Sequence, residues 1–249
     1  MTDITNTYAV VGADEEHPGD LLPTDQAALE RDVTLDPGAS VRGSVHGASV
    51  TVGEDASVGG VVMAGKDVTV AGGTVGGEVG TPGRVEATDA RLNGGVTGHH
   101  VTLTDCVVLG SVVGESVELT DCLVLGVVGA RERLEVTDST CYTLNATGRT
   151  ELSSVDLVLP QALVGSSLTM AGSVRVVGLR SDPVPLAEGD HVEQEGRHYL
   201  TLAHRLLNLE RVEARLETLE STLERVLVSE ELADAPRDEL LAEFDLAAA

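Results

Sequence analysis

The residues able to do chemistry in this chain are three cysteines, a few histidines and a ladder of aspartates. Cys106 and Cys122 lie 16 positions apart, at the same place in two similar stretches, VTLTDCVVLGSVVGES and VELTDCLVLGVVGARE. Ala90 and Ser139 hold the corresponding positions one repeat before and after, so this is a column of small residues. Thiols in such a column act as small buried hydrophobes, and Cys141 is read the same way. Zinc would need four converging Cys or His ligands, and the column supplies no such neighbours. A disulfide is not expected in a reducing compartment. Asp89, Asp105, Asp121 and Asp138, each preceded by Thr, form another column. Stacked carboxylates could hold calcium, but the glycine-rich calcium nonapeptide is absent, and turn-capping aspartates at corners explain the pattern better. His46 and the pair His99–His100 lie about three repeats apart with no third histidine between them. No Ser-His-Asp set, phosphate-cradling loop or Cys-His pair stands out. The expectation is therefore no catalytic residue, no metal and no cofactor.

These residues are spaced by a repeat that runs from Val33 to Val177. Copies begin at Val33, Val50, Val68, Val85, Val101, Val117, Leu134, Thr150 and Leu168, at intervals of 16–18 residues. A fixed period of this kind signals stacked units. Within each copy the first and third positions are apolar and the second is Thr or Glu, as in Val101-Thr102-Leu103, the alternation of a strand with one buried face. A second apolar column reads Val41, Val58, Val75, Leu92, Val108, Val124 and Leu157. A third reads Val45, Val62, Val79, Val96, Val112, Val127 and Leu163. Three short strands per repeat predict an all-β solenoid, a three-sided parallel β-helix of about nine coils. Many of the 28 glycines then belong at its corners.

The chain carries 41 acidic and 16 basic residues among 249, a formal net charge of −25. Lys66 is the sole lysine. Such a surface repels phosphate backbones and anionic lipid, so nucleic acid is not an expected partner. It suits a cytosol of very high salt, where screening lengths shrink to a few ångströms. The start lacks the basic and apolar regions of a signal peptide, and no apolar run reaches membrane-spanning length. The expected location is the cytoplasm, with the inner surface of the membrane as a further possibility.

Residues 1–32 read as an acidic, mostly flexible tail whose apolar patch, Tyr8 to Val11, could pair with the first coil. Residues 33–177 form the β-helix, 178–198 a linker containing Pro183 and Pro185, and 199–249 a helical region. From Tyr199 to Val228, Leu202, Leu209, Leu216 and Leu223 recur at one heptad position, and Val212, Leu219 and Val226 at another. This amphipathic stripe serves equally for a coiled coil between chains or for docking on the chain's own solenoid. Pro236 opens a second short helix, Arg237 to Leu246.

The uninterrupted coils quoted above, the Gly-rich corners and the flanking tails resemble the bactofilins, polymer-forming cytoskeletal proteins, and more closely their haloarchaeal relatives, the halofilins. The resemblance covers the solenoid, a little over half of the chain. It implies a right-handed β-helix that assembles end to end without nucleotide and supports cell shape. The partner would be the protein itself, with another cytoskeletal or membrane-associated protein as a second candidate. Val33, Leu35 and Val41 at one end, and Leu168, Met170, Val174 and Val176 at the other, are the expected self-association residues, because an open coil edge templates pairing. Two other readings compete. One is a hexapeptide-type enzyme, acyltransferase or carbonic anhydrase-like, which would want a strict six-residue repeat and His residues set in loops or converging between coils. The other is a capped, non-polymerising solenoid that binds a partner.

Overall fold

The computed structural model describes residues 2–4, 8–21, 30–159, 161–165, 167–176, 184–185, 190–194, 196–201 and 209–244. The repeat folds as a mostly parallel β-solenoid of about eight turns. Its first ladder keeps the first apolar column in register, pairing Val33 with Val50, Val50 with Val68, Val68 with Val85 and so on to Thr150 with Leu168. A second ladder aligns Val41, Val58, Val75, Leu92, Val108, Val124, Cys141 and Leu157. A third aligns Val45, Val62, Val79, Val96, Val112, Val128 and Leu144. Apart from the half-buried Leu168, the residues of these rows are buried, and they make one continuous core along the solenoid. Register is unambiguous because slipping by one residue would turn every valine outward.

Two positions of the third column differ from the sequence reading. Val128, fully buried, takes the place expected for Val127, which points outward. The register shifts between Val124 and Val127, and the extra residue there decides which of two adjacent valines faces in. Leu163 pairs with the outward Asn145, and its neighbours Ala162 and Val164 are buried instead.

The aspartate column has a backbone cause. Asp55, Asp89, Asp105, Asp121 and Asp138 all have φ between 47° and 56°, and Gly38, Gly72 and Gly172 occupy the same corner with positive φ. The left-handed conformation penalises a Cβ, and Asp tolerates it better than most residues. Each turn's corner also hydrogen-bonds to the next: the Asp89 N–H donates to Thr104 O at 3.0 Å, and the Asp105 N–H to Thr120 O at 2.9 Å. Asp105→Gly should therefore raise stability by about 0.5–1 kcal/mol, whereas Asp105→Val should lower it by about 1–2 kcal/mol. Chemical denaturation of both variants measures the pair. Equal midpoints would show that the corner carries no strain.

The solenoid begins earlier than Val33. Tyr8–Val11 lies parallel to Asp32–Leu35, Glu16–His17 pairs with Ser40–Val41, and Leu21 bridges to Val45. The patch singled out in the tail thus supplies a further turn, with Ala9 and Val11 in the core. Antiparallel strands then close parts of both ends. Asp3–Ile4 lies on Tyr8–Val11. At the other end, Val184–Pro185 pairs with Arg175 and Val176, and the hairpin of His191–Gln194 and Arg197–Thr201 pairs with Gln161–Val164.

That hairpin corrects the helix start. Tyr199, Leu200 and Thr201 are in a strand, and Leu200 is buried in the solenoid core. The local signal was Gly196, which takes φ 72° at the hairpin turn, as two-residue connections demand. The first helix, α1, spans Leu209–Val228; α2 spans Glu230–Ala233 and α3 Arg237–Glu243. Leu202 lies outside the described residues, as does Leu246. Ser229 caps α2, its hydroxyl accepting from Leu232 N at 3.3 Å.

Candidate functional site: the solenoid ends and the helical cover

Among the described residues of the solenoid, the cysteines and the histidines make separate contacts and do not join in one cluster. Cys106, Cys122 and Cys141 are free and fully buried. The Cys106 thiol is pushed above its ordinary range by its hydrogen bond with Cys122 and by burial, and Cys141 is pushed up by burial. Ser139 continues their column, donating from its hydroxyl to Thr137 O at 2.6 Å and accepting from Cys122 N at 2.9 Å. His99 and His100 meet edge to face, centroids 4.5 Å apart, on the exposed side of Val96–Thr104. His46 sits on the outward column that continues through Met63 and Gly80 to Thr97, three turns away. Among the described residues no group of three or more His, Cys, Asp or Glu side chains could hold a metal ion. Arg91 and Arg237 flank the aspartate corner, so the groove there carries both signs of charge.

The expected end residues fall in two classes. Val33, Leu35 and Val41 are buried one turn inside the solenoid, paired on both sides by Tyr8–Val11, Glu16–His17 and the following turn. They are not at an edge, because the sequence before Val33 adds a turn. Leu168, Met170, Val174 and Val176 do lie in the last parallel strand, Ser167–Val176. Val174 and Val176 are buried, whereas Leu168 and Met170 are only partly covered. Among the described residues, no strand pairs with the outer side of Ser167–Ala171. Arg175 anchors this turn through a bidentate pair with Asp156, both contacts 2.6 Å. That geometry raises the Arg175 pKa.

The helical region makes a second hydrophobic cluster, outside the coil. Along the second ladder the outward positions turn from polar or Gly to apolar: Val107, Leu109, Leu123, Leu125, Tyr142 and Val158. Leu219 and Val226 of α1, Leu232, Ala235, and Leu240, Leu241 and Phe244 pack on them. The backbone ends of the helices are tied down as well. Arg91 donates to Ala235 O at 2.6 Å and Leu232 O at 3.0 Å, and Arg237 to Asp121 O at 2.7 Å. These carbonyls belong to helix termini or corners, which need donors. Half-buried by this packing, Arg91 has its pKa lowered, chiefly by desolvation. Arg225 pairs with Glu243, linking α1 to α3. Of the heptad positions, Leu219 and Val226 are buried, Leu216 and Leu223 half-buried, and Leu209 and Val212 lie in the first turn of α1. Leu219, Val226 and the half-buried Leu223 therefore pack on the chain's own solenoid. The apolar outward column from Val107 to Val158 was the unused sequence signal for that choice.

Among the described residues no helix is long and apolar enough to cross a membrane. Searches against protein-family models, curated proteins and solved structures found no match to this chain.

Proposed function

We propose that this protein is a non-enzymatic structural scaffold of the bactofilin kind. It is a three-sided, right-handed β-helix of about nine coils that self-associates through its coil ends and supports cell shape in a high-salt cytoplasm. The observation that carries this reading is the last parallel strand. Ser167–Ala171 presents an outer edge without a partner among the described residues, beside the half-covered Leu168 and Met170. An edge of that kind templates a further strand. Self-association would be the main partnership, with a cytoskeletal or membrane-associated protein as a second, and nucleic acid is disfavoured by the net charge of −25.

A second reading, a capped solenoid that binds a partner without polymerising, draws on the antiparallel strands at both ends. Antiparallel closure occupies edges that a parallel neighbour would need. Light scattering and electron microscopy in molar salt separate the two. The scaffold reading expects filaments from the full chain, and faster growth from a form ending after Val176, which lacks the terminal hairpin and the helices. High salt should not dissolve them, since backbone pairing and apolar contact survive screening. Two monodisperse monomers at every concentration would favour the capped partner-binding solenoid.

A further inference from the structure

The sequence holds Asn6, Asn93, Asn145 and Asn208, and of these Asn93 alone is followed by glycine. Asn93 and Gly94 turn the corner between the second and third ladders, directly after the strand Arg91–Leu92. The glycine is required there, because a Cβ on Gly94 would collide with the Gly77 backbone of the preceding turn. Packing between turns thus keeps next to Asn93 a residue whose backbone nitrogen has no side chain beside it.

The backbone nitrogen of Gly94 is not committed elsewhere. At the equivalent corners of earlier turns, the Gly60 N–H donates to Gly43 O and the Gly77 N–H to Gly60 O, each at 2.9 Å, whereas the Gly94 N–H makes no hydrogen bond among the described residues. Asn93 and Gly94 are both partly exposed, so water reaches them. The Asn93 side chain is also held and polarised. Its Oδ1 accepts from Arg91 Nε at 3.1 Å. A donor there draws electron density from the side-chain carbonyl and favours attack on its carbon. Arg91 is itself fixed by its bonds to Ala235 O and Leu232 O, so the donor stays in place.

We propose that Asn93–Gly94 is a site of spontaneous covalent modification, with water as the co-reactant. The Gly94 nitrogen gives up its proton and bonds to Asn93 Cγ. The side-chain nitrogen takes up a proton and leaves as ammonia, closing a five-membered succinimide. Water then adds to one of the two ring carbonyls and breaks its bond to the Gly94 nitrogen, which recovers its proton. Opening on one side gives aspartate, and on the other isoaspartate, in which the main chain runs through the former side chain. Nothing is oxidised or reduced. Either product sets a carboxylate near the Arg91 guanidinium where a neutral amide stood, and isoaspartate also adds a carbon to the main chain at a corner where successive turns touch. Asn145 is the other asparagine among the described residues. It lies inside the strand Thr140–Ala146, in register with Gly129 and Leu163, and Ala146 follows it. It keeps its amide. The inference holds whether or not the chain forms filaments.

The test ages the full chain in neutral buffer of molar salt made with heavy-oxygen water, and follows each asparagine by peptide mapping and mass spectrometry. Circular dichroism confirms that the chain stays folded throughout. The peptide bearing Asn93 should turn into aspartate and isoaspartate forms that carry the heavy oxygen, ~tenfold or more faster than Asn145 reacts. An Asn93 amide that persists, or a smaller ratio between the two sites, would overturn the assignment. The same chain unfolded in urea shows what the corner contributes. Conversion in the folded chain should stay within ~tenfold of the unfolded rate, and a slower reaction would mean that the fold shields this amide, which also overturns the proposal. Arg91→Lys keeps a cation and removes the Nε–H donor. It should slow conversion by ~threefold or more, the worth of one modest hydrogen bond, and an unchanged rate would overturn the part given to Arg91.

Discussion

Val124→Asp should unfold the whole solenoid at temperatures where the wild type is intact. Val124 is fully buried, in register between Val108 and Cys141 in the second ladder. Its side chain belongs to the buried core cluster, so a carboxylate there would be cut off from bulk solvent. Burying an unpaired ionisable group forces either protonation or local opening, and such changes cost about 4 kcal/mol or more. The loss should spread because the turns above and below share hydrogen bonds through this strand: the Leu123 N–H donates to Cys106 O, and the Thr140 N–H to Cys122 O, each at 2.9 Å. Thermal or denaturant melting followed by far-ultraviolet circular dichroism checks it. Val108→Asp, one turn earlier, should behave alike. A Val124→Asp protein that melts with the wild type would mean that this column does not face the core.

Leu240→Asp should have an equally large but confined effect, releasing the helices and leaving the β-ladders formed. Leu240 is fully buried in the external cluster with Leu123, Leu125 and Leu219, and that cluster is separate from the one inside the coil. Removing a buried leucine costs about 2–5 kcal/mol, and placing a carboxylate in its stead adds desolvation. The docking is further secured by Arg91 and Arg237, whose hydrogen bonds to Leu232, Ala235 and Asp121 carbonyls need the helices in place. Hydrogen exchange should therefore show loss of protection in α1 and α3 with unchanged protection from Val45 to Leu157. Uniform loss along the whole chain would show that the cover is part of the solenoid's own stability, and unchanged α3 protection would show that the docking does not depend on this cluster.

How much of this was legible beforehand varies with the range of the interaction involved. The 16–18 residue period, the alternation at Val101-Thr102-Leu103 and the Thr-Asp corners are local and repetitive, and each copy corroborates the next. From them the parallel solenoid, its inward rows and the burial of Cys106 and Cys122 follow directly, because side-chain direction in a strand has period two. The same rule could not choose between Val127 and Val128, both apolar, until an added residue near Leu125 set the register.

The ends and the cover were decided only in three dimensions. Tyr8–Val11 is too short to show a repeat, yet its edge-to-edge fit on Asp32–Leu35 makes it a turn and moves Val33, Leu35 and Val41 inside. Tyr199 to Thr201 continue a helical heptad by sequence but pair with Gln161–Val164, since a strand there satisfies a backbone edge that a helix would leave bare. The stripe of Leu219 and Val226 is compatible with any apolar partner. What selects the solenoid is the outward patch from Val107 to Val158 on the same chain, a pairing between residues far apart in sequence that local periodicity cannot express.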